Sequence, residues 1–308
     1  MGRPAGSTSI PRVDTAVTLR GRDFLSVADL DRSELLAVLD LAREIKAGRW
    51  QQRPLAGKFV AMLFQKPSNR TRVSFEVGIA RLGGTAIALG EQDVQIGVRE
   101  TVADAARVLE RYVHLVVARL RHHADLSELA RFARIPVVNA LTEIEHPCQI
   151  LADLLTIRER FGSLENRKVA YVGDGNNIAV SLSHAAASVG FQLRVITPAG
   201  YEPAAAGGLV LVSHDLDAVE GADVVYTDVW TSMGQEAERD ERTAALAPYQ
   251  VNAQLMARAP QAIFMHCLPA RRGEEVTDEV IDGPASVVFD QAENRLYAQM
   301  ALLALILE

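Results

Sequence analysis

Short apolar runs alternate with amphipathic segments along the first half of the chain. The runs at 59–64, 115–118 and 136–140 are rich in Val, Leu and Ala, and we predict them to be buried strands. Residues 69–82 and 101–112 instead place their apolar side chains at helical spacing. Strands and helices that alternate in this way indicate a parallel sheet covered by helices on both faces.

The same alternation begins again in the second half of the chain. A helix is predicted at about 149–161, and a last helix at about 293–307 is so apolar that we expect it to pack back on the first half. The predicted fold class is α/β, with two doubly wound parallel-sheet domains and an active-site cleft between them. The expected domains are 1–150 and 151–290, followed by 291–308 as a C-terminal helix. Strands are predicted at 168–173, 193–196, 224–226, 263–265 and 287–289.

Length, charge and cysteine content narrow the function classes. A chain of 308 residues suits two domains of roughly 150 residues each. The net charge of −7 argues against a nucleic-acid partner, and the absence of an apolar run of about 20 residues argues against a membrane span. Two cysteines, Cys148 and Cys267, are too few for a disulfide framework, so we expect a reduced cytoplasm. Residues 1–22 could be a short tail or a transit peptide.

The first candidate site lies where a predicted strand turns into a helix, at Ser68-Asn69-Arg70-Thr71-Arg72. Hydroxyl, guanidinium and backbone N–H donors at a helix N-terminus attract phosphate. Two arginines there oppose the helix dipole, and an anionic ligand would account for them; the alternative is an ordinary turn with solvated arginines. The pattern G-x-x-x-x-G-K-[ST] is missing, so this is not a nucleotide P-loop.

This segment resembles the Ser-Thr-Arg-Thr-Arg motif of the aspartate and ornithine carbamoyltransferase family, with Asn69 in place of the usual Thr. Further segments resemble the ornithine branch of that family and occur in the same order along the chain. They are His146-Pro147-Cys148-Gln149 with Leu151-Ala152-Asp153, Asp228-Val229-Trp230-Thr231-Ser232-Met233-Gly234, His266-Cys267-Leu268-Pro269 and Ala292-Glu293-Asn294-Arg295.

The resemblance implies that the first domain binds carbamoyl phosphate and the second binds L-ornithine. The carbamoyl group would pass to the δ-amine, giving L-citrulline and phosphate, with no cofactor and no metal. It also implies a homotrimer in which Gln95 reaches the site of a neighbouring subunit. Binding of carbamoyl phosphate is assigned by resemblance to Ser68, Asn69, Arg70, Thr71, Gln95, Arg119, His146, Gln149, Cys267, Leu268 and Arg295.

The catalytic residues implied are Arg119, His146, Asp228 and Cys267. Arg119 ends an apolar run, and His146 lies three residues before Gln149 at a predicted helix start, so these donors can face one carbonyl. Asp228 follows a strand, where a carboxylate can bind the ammonium and orient the neutral amine. The resemblance implies that Cys267 contacts the δ-amine together with Asp228. Cys267 is not expected to be a nucleophile, because the reaction needs no covalent intermediate. Ornithine binding is assigned by resemblance to Asn177, Asp228, Ser232 and Met233.

Two alternatives concern other cofactors. The triplet Gly173-Asp174-Gly175 could open a dinucleotide site, but position 178 is Ile rather than the third glycine and no ribose-binding acid follows. A zinc site is also conceivable, although its spacings are unlike the usual Cys and His pairs. Its ligands would be His146, Cys148, His266 and Cys267.

Two further alternatives stay within the resemblance. Residues 249–252 and 272–276 are similar to the putrescine branch, whereas the intact run 232–234 favours ornithine. A degenerate relative that only binds an anion is also open, because of Asn69 and a short connection at 201–211. We expect that connection to be a trimmed surface helix, away from the motifs.

Overall fold

The structure, a computed structural model, describes residues 17–93, 96, 99–204, 209–231 and 236–308. Four parallel strands form the first sheet, each joined to the next through a helix. The strands are β1 (Phe59–Phe64), β2 (Thr85–Leu89), β3 (Leu115–Arg119) and β4 (Val137–Leu141), in the order β2-β1-β3-β4. The helices of this part are α1 (Arg32–Lys46), α2 (Asn69–Arg81), α3 (Val102–Leu109) and α4 (His123–Phe132).

The second sheet has five parallel strands, which confirms the predicted fold class. They are β5 (Lys168–Val172), β6 (Gln192–Ile196), β7 (Val210–Ser213), β8 (Val224–Thr227) and β9 (Ile263–His266), in the order β7-β6-β5-β8-β9. The remaining helices are α5 (Pro147–Phe161), α6 (Asn177–Val189), α7 (Arg239–Leu246), α8 (Ala253–Met256), α9 (Asp278–Ile281) and α10 (Val288–Leu307). Single 3₁₀ turns lie at Val27–Asp29, Leu216–Val219, Glu236–Glu238 and Ala247–Tyr249.

The two sheets share one hydrophobic core. One face of the first sheet, with Met62 and Val117, joins the same buried cluster as Tyr171 and Tyr226 from the second sheet. Helices α1, α5, α6 and α10 contribute to this cluster, and α10 contacts α1, α2 and α5. The opposite face of each sheet has a separate cluster, so both faces are covered. The shared core holds the strand ends of both sheets around one cleft.

The predicted strand at 287–289 is wrong. The backbone N–H of Val287 donates to the carbonyl oxygen of Phe264 on β9 (3.0 Å), but α10 begins at the next residue. Val and Phe favour strands only weakly and in context. Here fourteen of the twenty residues of α10 are buried, so packing of the long helix decides the local conformation. The helix therefore starts five residues earlier than predicted.

None of the helices in the described parts of the chain combines the length and hydropathy that crossing a membrane requires.

Candidate active site

A cleft of about 1040 Å³ lies at the carboxyl ends of the strands of both sheets. Parallel α/β sheets bind ligands at this edge, because the loops that follow the strands converge there. The volume suits two small substrates bound side by side. Its wall includes Ser68, Asn69, Arg70, Thr71, Arg119, His146, Asn177, Asp228, Cys267, Leu268 and Arg295, which had been singled out in the sequence.

The N-terminus of α2 forms one end of the cleft. Ser68 is its N-cap, because its Oγ accepts from the backbone N–H of Thr71 (3.4 Å) and donates to Thr71 Oγ1 (3.0 Å). Arg70 lines the cleft, whereas Arg72 lies exposed on the other side and pairs with Glu76 (2.9 Å). Only one of the two arginines therefore serves the cleft.

Three guanidinium groups meet at this end of the cleft. Arg119 ends β3 and Arg295 lies on α10, and both are buried beside Arg70. Burial lowers the pKa of Arg119 to about 10, with repulsion from Arg295 and Arg70 acting in the same direction. The Nε–H groups of all three arginines find no hydrogen-bond partner in the described part of the chain. Buried like charges with unused donors are a site for an anion.

His146 adds a neutral donor to the same site. Its side chain is buried, and burial lowers its pKa well below that of free imidazole, with Arg295, Arg119 and Arg70 adding to the effect. Its Nδ1 has no partner among the described residues, and its backbone N–H donates to Ser181 Oγ (3.0 Å). A neutral imidazole can donate one hydrogen bond to a carbonyl oxygen without adding a fourth positive charge.

Arg295 is held from behind. Its Nη2 donates to Thr71 Oγ1 (2.9 Å) and its Nη1 donates to Gln149 Oε1 (3.1 Å). Gln149 is itself fully buried and does not line the cleft, and its amide donates to Asp153 Oδ1 (2.8 Å). The structure therefore places Gln149 behind Arg295, and direct contact between Gln149 and a ligand stays a prediction.

Asp153 joins the two halves beneath the cleft. Its carboxyl group accepts from Gln291 Nε2 (2.7 Å) and from the hydroxyl of Tyr226 (3.0 Å) as well as from Gln149. Burial raises the pKa of Asp153 to about 7, although these donors oppose the shift. Neither Gln291 nor Tyr226 was singled out in the sequence, because buried polar residues on apolar elements carry no local pattern.

Asp228 lies at the other end of the cleft, directly after β8. It accepts hydrogen bonds from Asn176 Nδ2 (2.8 Å) and from the thiol of Cys267 (3.0 Å). Burial and the neighbouring Asp228 raise the pKa of Cys267 well above that of a free thiol. Cys267 is therefore a neutral hydrogen-bond donor to Asp228, and its role in the reaction stays a prediction.

The other ornithine-binding candidates are placed unequally. Asn177 lines the cleft, but its amide N–H donates to the carbonyl oxygen of Thr142 (2.7 Å) and so ties the two sheets together. Leu268 also lines the cleft. Ser232 and Met233, like Gln95, lie outside the described residues, and their roles stay predictions.

The sequence analysis did not find a buried ion pair at the end of the cleft that carries Asp228. Asp174, which follows β5, pairs with Arg242 of α7, whose Nε also donates to the carbonyl oxygen of Trp230 (2.8 Å). Burial raises the pKa of Asp174 to about 6, and Arg242 opposes the rise. The place of Asp174 after a strand was a usable signal; Arg242 lies in a polar helix without any motif.

In the segment Gly173-Asp174-Gly175 after β5, Gly175 lets the backbone at 201–203 pack closely against this turn. A Cβ on Gly175 would lie 2.3 Å from the backbone nitrogen of Pro203, and the Gly175 N–H donates to the carbonyl oxygen of Tyr201 (2.8 Å). The backbone at 201–203 occupies the space against which a dinucleotide pyrophosphate would have to lie. Tyr201, Glu202 and Ala204 line the cleft, so the expectation that this connection lies away from the motifs was wrong.

Potential metal ligands cluster beside Asp228. Among the described residues, Asp228, His266 and Cys267 bring ligand atoms within 4.8 Å of one another. Both nitrogens of His266 are already engaged, since Nδ1 accepts from the N–H of Leu268 (2.8 Å) and Nε2 contacts Glu275 Oε1 (3.1 Å). The three residues therefore fit a hydrogen-bonded array better than a metal site.

Together, the fold and the site define a two-domain α/β enzyme. One end of its cleft brings together the donors Arg70, Arg119 and His146, and the other end carries the carboxylate of Asp228. The comparisons with known proteins agree with this class.

Residues 22–159 match the carbamoyl-P binding domain of aspartate/ornithine carbamoyltransferase, and residues 165–306 match its Asp/Orn binding domain. The chain belongs to the aspartate/ornithine carbamoyltransferase family. It is 53% identical to the ornithine carbamoyltransferase of Symbiobacterium thermophilum, over 94% of this chain and 99% of that one. It is 52% identical to the anabolic ornithine carbamoyltransferase of Pyrococcus furiosus, over 94% and 98% respectively. A solved structure of the Pyrococcus furiosus enzyme superposes with a TM-score of 0.90 at 51% identity, covering 95% of this chain and 99% of that one.

Proposed function

We propose that the protein transfers the carbamoyl group of carbamoyl phosphate to the δ-amine of L-ornithine, giving L-citrulline and phosphate. The observation that carries this proposal is the division of charge in one cleft. Three guanidinium groups converge at one end and Asp228 lies at the other. Membership of the family and relatives named ornithine carbamoyltransferase support it.

We assign carbamoyl-phosphate binding to one end of the cleft and orientation of the attacking amine to the other. The N-terminus of α2 and Arg70 hold the phosphate, while Arg119 and His146 donate to the carbonyl oxygen. Asp228 and the thiol of Cys267 orient the neutral δ-amine, which attacks the carbonyl carbon. The negative charge that develops on the oxygen of the tetrahedral intermediate meets donors that are already in place, and this lowers the barrier. The C–N bond forms in this attack. When the intermediate collapses, the C–O bond to phosphate breaks, and the proton that the attacking nitrogen loses passes to the departing phosphate.

The acceptor is distinguished at the end remote from the reacting amine. Putrescine has no α-carboxylate. The donors that we assign to this carboxylate, at Asn177 and at 232–233, would therefore stay unpaired when putrescine binds, and unpaired donors in a buried site lower the affinity. The putrescine alternative is not favoured by the relatives, which are named for ornithine. Side-by-side assays with carbamoyl phosphate should give a higher kcat/KM for L-ornithine than for putrescine. More efficient formation of N-carbamoylputrescine would refute the ornithine assignment and leave carbamoyl transfer standing.

Quaternary structure and cellular role form part of the proposal. We assign the protein to arginine biosynthesis in the cytoplasm as a homotrimer in which Gln95 enters a neighbouring site. The exposed apolar side chains Val73, Val77 and Ile87 on α2 and the edge strand β2 support a subunit contact. Gln95 follows Leu89, the last residue of β2, by six positions in the sequence, so we propose that a contact at β2 brings this segment to the next subunit. A division of the chain near residue 150, with 291–308 as a returning helix, remains part of this proposal.

A further inference from the structure

Glu145 directly precedes His146 but does not line the cleft. Its carboxylate is almost completely buried, and two donors from α6 and one from the N-terminal segment hold it. They are the hydroxyl of Ser181 on α6 (3.0 Å), Nδ1 of His184 on α6 (3.0 Å) and the backbone N–H of Val27 (3.3 Å). The carboxylate therefore links the second sheet's first helix to the N-terminal segment beside β4.

Ser181 connects this carboxylate to the active site. Its Oγ donates to Glu145 Oε2 and accepts from the backbone N–H of His146 (3.0 Å). Because the hydroxyl proton is committed to Glu145, the lone pair that faces His146 is fixed in direction. The backbone from which the His146 imidazole projects is thus set by a hydroxyl on the opposite domain.

His184 is the residue beside Glu145 and Ser181 whose charge can change near neutral pH. Its Nδ1 also lies 3.3 Å from Ser26 Oγ, and its ring is partly exposed. The hydrogen bond to Glu145 raises the pKa of His184, burial opposes the rise, and Asp29 adds to it. Burial would raise the pKa of Glu145, but hydrogen bonds from His184, Ser26 and Ser181 lower it overall. The stabilisation from the His184 charge is complete below the usual imidazole pKa and is lost as the pH rises through the higher folded value.

We propose that Glu145, Ser181 and His184 are positioning residues for His146 in carbamoyl transfer. They touch no substrate; they fix the main chain at His146 by joining it to α6 and to the segment at 26–27. The inference rests on the proposed function, since it needs His146 to act on the carbonyl oxygen. A displacement of about 1 Å at such a donor costs as much as roughly a hundredfold in rate.

Two buried serines on α6 provide a matched test. Ser181→Ala removes the link to His146, whereas Ser183→Ala removes a hydroxyl that donates to the carbonyl oxygen of Ala179 in its own helix (2.8 Å). We expect Ser181→Ala to lower kcat roughly 10- to 100-fold with little change in the KM for carbamoyl phosphate. Ser183→Ala should keep the wild-type kcat. Equal kcat values in the two variants would overturn the proposal.

A pH profile supplies the second test. His184→Gln retains a donor for Glu145 but not the charge. As the control, His114→Gln removes an exposed histidine that directly precedes β3 and does not line the cleft. The ratio of wild-type to His184→Gln kcat should be largest at acidic pH and should fall as His184 deprotonates. The ratio for His114→Gln should not vary with pH. A pH-independent ratio for His184→Gln would contradict the positioning role. Failure of the wild type to form citrulline would instead contradict the proposed function.

Discussion

Arg70, Arg119 and Arg295 lie side by side, and none of them forms an ion pair with a carboxylate in the parts of the chain that the structure describes. Arg70 is the one that enters from the N-terminal turn of α2, where the helix dipole also favours an anion. Arg72, two residues on, is exposed and paired with Glu76. Because Arg70 lines the cleft and Arg72 does not, substitution of each arginine in turn separates an effect on the cleft from an effect of losing one positive charge in this motif.

Arg70→Ala should weaken binding of carbamoyl phosphate at least tenfold. A charge-assisted contact to phosphate contributes on the order of 1.5–3 kcal/mol, and the neighbouring arginines cannot replace its geometry. Arg72→Ala is the control and should leave the affinity near that of the wild type. Calorimetric titration of both variants with carbamoyl phosphate measures the difference. Unchanged affinity in Arg70→Ala would remove Arg70 from the phosphate site.

Asp228→Asn should lose far more in turnover than in carbamoyl-phosphate affinity. The carboxylate accepts from Asn176 and Cys267, and it lies at the end of the cleft away from the three arginines. The side-chain amine of free ornithine has a Lys-like pKa of roughly 10, so wild-type turnover should also rise from neutral to alkaline pH. Asp240→Asn, on an exposed part of α7, is the control. Equal losses of turnover and affinity, or a flat pH profile when chemistry limits the rate, would contradict this role.

At the residue scale, the sequence predicts the side chains that line the cleft better than those that support them from behind. Ser68, Arg70, Arg119 and His146 lie at strand ends or helix starts, and these places have local patterns. Their supports do not: the carboxylate of Asp153, for example, matters only because distant segments bring it next to Gln149 and Tyr226. Such partners become visible only once the chain is folded.

At the element scale, periodicity predicts the strands well because both sheets are buried on two faces. One predicted strand is wrong, the apolar triplet at the start of α10, where three residues of strand-like composition are too few to outweigh the packing of a twenty-residue helix. One strand was not predicted, β7 (Val210–Ser213), which lies at the edge of the second sheet and has no fully buried residue. The loops at the cleft are harder to predict, since close approaches such as that of Pro203 to Gly175 depend on distant parts of the chain.

Leu303→Ala should destabilise the protein by about 2–5 kcal/mol, because the side chain is fully buried in the core shared by both sheets. Phe289→Ala removes a larger side chain from the same helix, but that side chain is 66% exposed. It should therefore change the free energy of unfolding by less than about 0.5 kcal/mol. Denaturant titration of both variants gives the comparison. Equal destabilisation would show that α10 is not anchored through the shared core.

At the scale of the whole molecule, α10 both holds the fold together and carries Arg295 into the cleft. The helix packs against α1, α2 and α5, and it also brings Arg295 against Thr71 and Gln149. The site is thus built from both sheets and from the last helix of the chain. A subunit contact beside α2 and β2 would add a further segment, the one that carries Gln95.

The trimer can be tested by mixing two damaged proteins. A homotrimer of this chain has a mass of about 100 kDa, three times 33.5 kDa, which light scattering can measure. Arg119→Ala and Gln95→Ala should each be nearly inactive alone. If Gln95 enters a neighbour's cleft, random reassembly of an equal mixture gives about a quarter of the sites both intact residues, so activity returns. Mixing Arg119→Ala with Arg70→Ala should restore nothing, because both arginines belong to the same subunit's cleft. Without recovery in the first mixture, each site would have to be complete within one chain.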